Sequence, residues 1–76
     1  MPHIVIKCYP GRTQEQKMLC AQKIAESIAQ TLECNISSVS VSIEEVPPEE
    51  WKENVWDASI LPNMDSLYIK PGYTCE

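Results

Sequence analysis

A proline stands directly behind the initiator methionine, and no other position in this sequence offers a more unusual chemical prospect. Initiator methionine is normally removed when the next residue is small, and here the product would be a chain beginning on a secondary amine. An ordinary α-amino group titrates near about 8, and an apolar pocket or a neighbouring cation lowers that value. An amine shifted in this way is partly neutral at physiological pH, so it can take a proton as a base and return it as an acid. The bland alternative is that Pro2 only begins a strand, a place where proline is tolerated. His3 is the single histidine. In an alternating pattern its ring falls on the opposite strand face from Pro2, which fits an exposed or interface residue better than a catalytic partner.

The remaining reactive side chains give weaker signals. Cys8, Cys20, Cys34 and Cys75 are scattered, with no CxxC pair and no histidine at ligand spacing, so neither a metal site nor a redox motif is expected. Cys8 in a strand pattern and Cys20 in a helical one read as small buried hydrophobes. Six Lys plus Arg against eleven Asp plus Glu leave a net charge of −5, which argues against binding a phosphate backbone. An anionic small molecule would need a local cation to hold it against that field. Met1-Pro2-His3 has neither a basic nor an apolar leader region, and no apolar run approaches the ~20 residues that span a bilayer. A cytoplasmic chain with reduced thiols and no membrane partner is therefore expected.

The elements that must hold these residues follow from periodicity. Ile4, Ile6 and Cys8 alternate with His3, Val5, Lys7 and Tyr9, a first strand from Pro2 to Tyr9 that Pro10-Gly11 stops. Thr13 with Gln16 forms a capping box, and Met18, Ala21, Ile24, Ala25, Ile28, Ala29 and Leu32 line one helical face up to Cys34-Asn35, with Asn35 as a tolerable cap. Val39, Val41 and Ile43 alternate with Ser40, Ser42 and Glu44 in a second strand. Strand, long helix and strand make a right-handed βαβ crossover with parallel strands. Glu44, Glu45, Glu49 and Glu50 read as a solvated loop and helix start. Pro47-Pro48-Glu49-Glu50 opens a short helix through Trp51, Val55 and Ala58. Pro62 then breaks or kinks it, and a last helical turn carries Met64, Leu67 and Tyr68.

Seventy-six residues allow one domain, 1–76, whose own core is marginal, since a chain of this size buries only about 60% of its unfolded surface. Two parallel strands under one helix cannot close a core, so a second copy of the chain is expected to complete the sheet.

Pro2, the alternating first strand, Gly11-Arg12 and then Thr13-Gln14-Glu15-Gln16-Lys17 opening a long helix resemble the 4-oxalocrotonate tautomerase family. The resemblance continues through Ser37-Ser38-Val39 and reaches Trp51. The stretch around Trp51 and Trp56-Asp57-Ala58, with Lys70-Pro71-Gly72-Tyr73, looks like the PptA-type bacterial tautomerases. The resemblance implies a tautomerase fold and cofactor-independent keto–enol proton transfer, with Pro2 as the base. It also implies that Arg12 binds a substrate carboxylate, for which its planar guanidinium fork is suited. Trp51 would wall the pocket and Tyr9 would lie at its edge. In this family the site is assembled between subunits, so Arg12 would serve a neighbour's Pro2. Ser40 stands where hexameric members carry another arginine, which favours a substrate with one carboxylate, such as a phenylpyruvate-like 2-oxo acid or its enol. A helical C-terminal third in place of a short Gly-rich hairpin favours a homodimer over a hexamer. Two other readings stay open: a proline-dependent hydratase, dehalogenase or decarboxylase of the same superfamily, and a non-catalytic βαβ oligomerisation or binding module.

Overall fold

The computed structural model describes residues 1–76, which fall into two compact units, Met1–Glu45 and Val46–Glu76. The first unit is the expected crossover. Strand β1 (His3–Cys8) lies parallel to strand β2 (Ser40–Glu45), with His3 opposite Ser40 and Cys8 opposite Glu45. Helix α1 (Gln14–Thr31) connects them. Ile4, Ile6 and Cys8 are half-buried while His3, Val5 and Lys7 are exposed, so the alternation in the sequence is the alternation of the two sheet faces.

Local chemistry sets the helix ends. Gly11 has φ +123 in the turn after β1, a backbone conformation that a β-carbon would strain, although the space around it is open. Thr13 Oγ1 accepts from Gln16 N at 3.1 Å and Gln16 Oε1 accepts from Thr13 N at 2.9 Å, completing the capping box. The helix ends earlier than its apolar pattern suggests. Leu32 is the C-cap, Glu33 takes the left-handed conformation at φ 54, and Cys34 N donates to Ala29 O at 3.0 Å. Asn35 instead opens the next single turn, Ile36–Ser38, its Oδ1 accepting from Ser37 N at 3.0 Å. Lys17, Ala21, Ile24, Ala25 and Ile28 form the half-buried face of α1, and Met18, Leu19 and Leu32 remain exposed.

Glu44 lies in β2 as the alternation predicts, and the strand runs one residue further to Glu45, which the acidic run suggests is loop. Their partners are remote in sequence: Lys7 Nζ lies 4.0 Å from Glu44, and Lys17 Nζ lies 3.5 Å from Glu45.

The second unit opens with one continuous helical run, Pro48 to Ser66, whose pitch changes along its length. Helix α2 (Pro48–Trp51) starts on a proline, widens into a π-helix over Lys52–Ile60 and tightens into a 3-10 helix over Leu61–Ser66. Pro62 has no N–H to give and its ring crowds the preceding turn, so an α-helical ladder cannot pass through it. The chain tightens to a 3-10 helix at Leu61, directly before Pro62, instead of breaking. Leu67 is extended and Tyr68 fully exposed, so the last helical turn stops at Ser66. Val55 and Trp56 are the buried hydrophobic core, at 5% and 4% exposure. Trp56 stacks at a 44° tilt on Tyr73, ring centroids 5.5 Å apart. No helix is long and apolar enough to cross a membrane.

Candidate active site

The site residues expected from the sequence lie at three places. Pro2 is half-buried at the entrance to β1, where Ser40 N donates to Pro2 O at 3.1 Å. The Met1 ammonium donates to Ser38 O at 2.7 Å. With Met1 attached, the nitrogen of Pro2 is a tertiary amide with no basicity. Met1 is 96% exposed, so the bond that must be cut to release the amine lies open to an aminopeptidase.

Tyr9 and Arg12 are together at the other end of β1, Arg12 Nη1 donating to the Tyr9 carbonyl at 3.1 Å. Six residue steps of strand from Pro2 to Cys8 cover about 20 Å. One chain therefore does not bring Pro2 and Arg12 together. Beside Arg12 a pocket of about 270 Å³ opens between sheet and helix. Ile6, Cys8 and Ile43 form its apolar lining, and Arg12, Gln16, Lys17 and Cys20 complete its wall.

Trp51, in the second unit, is half-buried, and its Nε1 donates to the Tyr73 hydroxyl at 3.2 Å. Trp56, rather than Trp51, is the core anchor of that unit. The four cysteines are free thiols; Cys8 is half-buried, whereas Cys20 is exposed on α1 and not the buried residue its helical position suggests.

Patterning along the sequence did not reveal the contact beside Pro2. His3 Nδ1 and Ser40 Oγ are 2.7 Å apart. The pair follows from the parallel register, which sets His3 directly opposite Ser40, and residues this remote in sequence carry no local signal of it.

Comparison with known proteins gives this geometry a family. A model of the tautomerase enzyme family matches residues 2–53. A tautomerase PptA from Enterobacter sp. (strain 638) is 47% identical over 75 residues, covering 97% of this chain and 99% of that protein. Among solved structures, a heterohexamer 4-oxalocrotonate tautomerase from Chloroflexus aurantiacus aligns with a TM-score of 0.66 at 30% identity, over 71% of this chain and 87% of that one. An apo unfused 4-oxalocrotonate tautomerase gives a TM-score of 0.63 at 33% identity, over 64% and 80%. The parallel βαβ unit with its leading proline is thus a tautomerase fold. The chain belongs to the 4-oxalocrotonate tautomerase family and is of the PptA type.

Proposed function

We propose that this chain, once Met1 is removed, catalyses keto–enol tautomerisation of a small 2-oxo acid with Pro2 as the proton carrier. Membership of the tautomerase family is the observation that carries the reading. The neutral Pro2 nitrogen takes the proton from the enol hydroxyl, and the O–H electron pair becomes the carbonyl π bond. The former C=C pair then takes the proton from prolinium at carbon, and the amine is neutral again. No cofactor enters this cycle. Arg12 binds the substrate carboxylate with its planar fork. Trp51 supplies an apolar wall that favours the neutral amine by desolvation, and Tyr9 lies at the pocket edge.

The separation of Pro2 from Arg12 supports a shared site, in which Arg12 of one protomer meets Pro2 of its partner. The sheet has two strands, and each has an unpaired outer edge on which a second copy can add. A cytoplasmic homodimer in which residues 1–76 act as one domain is the assembly this reading takes. A substrate with one carboxylate suits the single arginine; phenylpyruvate is the simplest representative. The test is ketonisation of the enol of phenylpyruvate by protein whose terminus is confirmed as Pro2 by mass spectrometry. Catalysis above buffer is expected, and a rate equal to buffer would move the choice to the hydratase-like reaction or the binding module.

A further inference from the structure

Proton transfer at an enol places negative charge on the substrate oxygen, and that charge needs a donor close to the base. Arginine serves the position in hexamer-forming relatives that the resemblance aligns with Ser40, and serine alone is a poor substitute for a guanidinium. The structure gives Ser40 a partner. His3 Nδ1 lies 2.7 Å from Ser40 Oγ, and both side chains are exposed. The same Ser40 is tied through its backbone to the residue that would do the chemistry, Ser40 N donating to Pro2 O at 3.1 Å. His3 and Ser40 stand on the exposed face of the two-stranded sheet and Pro2 on the half-buried one, at the same end of the strands, where a substrate seated over the strand end reaches both faces.

We infer that the His3–Ser40 couple is the oxyanion donor of the proline site, holding the carbonyl or enolate oxygen of a 2-oxo acid. The inference rests on the tautomerase reading above. Its chemistry holds in every protonation state of the ring. When neutral imidazole accepts at Nδ1, Ser40 donates to it and Nε2–H faces outward. When Nδ1 carries the proton and donates to Ser40 Oγ, the serine hydroxyl proton is free for the substrate. Protonated imidazole leaves both donors available. One N–H or O–H therefore always remains for the oxygen, and no proton has to leave the couple during the reaction. The next donors on this sheet face stand further from Pro2: Ser42, opposite Val5, is two residues or about 7 Å along the strand, and Lys7, 4.0 Å from Glu44, is further still.

The experiment compares Pro2→Ala, His3→Ala, Ser40→Ala and the double variant in ketonisation of the phenylpyruvate enol, each checked for fold by circular dichroism. Loss of an oxyanion donor lowers kcat with little change in KM, and removing one from an enclosed site costs on the order of 100-fold or more. For this exposed couple about tenfold in kcat is expected in each single variant, with KM within about twofold. The double variant should fall no further than the worse single one, because the two act as a unit. Ser40→Thr, which keeps the hydroxyl and suits a strand, should retain the rate. His3→Asn, which keeps a donor, should recover part of what His3→Ala loses. If Pro2→Ala is inactive while His3→Ala and Ser40→Ala match the parent kcat, the couple has no such role and the proline reading stands alone. A rise in KM at constant kcat would likewise overturn the oxyanion assignment. Undiminished activity in Pro2→Ala would instead remove the tautomerase reading itself.

Discussion

At the scale of single residues, the chemistry proposed for this chain depends on a bond that is not in place while Met1 remains. Pro2 is inert as an amide and basic as a free amine, so one processing step decides whether the protein has a base. The exposure of Met1 leaves that step sterically open. Arg12 is the complementary group. Its guanidinium is directed along the Tyr9 carbonyl and bounds the pocket beneath α1, where Ile6 and Ile43 offer apolar contact. Loss of a charge-assisted hydrogen bond to a carboxylate costs about 1.5–3 kcal/mol, roughly 10- to 100-fold in binding. Arg12→Ala should therefore raise KM for an enol acid by that factor, and Arg12→Lys should recover only part of it because an ammonium lacks the planar fork. Steady-state kinetics on both variants decide this: an unchanged KM would remove Arg12 from the site.

At the scale of elements, the parts that were legible in the sequence are those set by neighbours along the chain. The β1 alternation and the Thr13–Gln16 box are local signals, and both appear at the expected residues. Thr13→Ala should cost about 1 kcal/mol of stability, read as a lower urea midpoint, since it leaves Gln16 N without its acceptor. A midpoint equal to the parent would mean that the box adds nothing to the fold. The parts that were not legible needed information from far away. Glu33 has no intrinsic preference for the left-handed region, so the end of α1 could not be placed by residue type. The acidic run hid the end of β2 because the lysines opposite Glu44 and Glu45 lie on other elements. Of the pitch changes in the second unit only the tightening at Leu61 has a local cause, Pro62; the π-helix over Lys52–Ile60 leaves no mark in hydrophobic spacing, which shows only the burial of Val55 and Trp56. Of the candidate site, Pro2 was legible from its own chemistry behind Met1, while Arg12, Tyr9 and Trp51 took their roles from the family pattern. The His3–Ser40 contact came only from the strand register.

At the scale of the whole molecule, the first unit has the character of an incomplete structure. None of its residues reaches the burial of Val55 or Trp56, and parallel sheets ordinarily have both faces covered. The same incompleteness appears in the chemistry, because the proline and the arginine lie at opposite ends of β1. A shared site makes a specific prediction. At substrate well below KM, Pro2→Ala and Arg12→Ala chains each keep no more than about a tenth of the parent rate alone. Unfolded together and refolded, they should recover about a quarter of parent activity, since half of randomly paired dimers are mixed and each mixed dimer has one intact site of two. Refolded mixtures no more active than the separate variants would place both groups in one chain or dismiss the dimer.

The central claim is that the amine of Pro2 carries the proton. Its most direct test is the rate of phenylpyruvate enol ketonisation by chains that begin at residue 2, parent and Pro2→Ala side by side. General acid–base groups contribute about 100- to 10,000-fold, so a fall in kcat of at least about 100-fold is expected in a variant that keeps its fold. A Pro2→Ala protein that ketonises as fast as the parent would contradict the account.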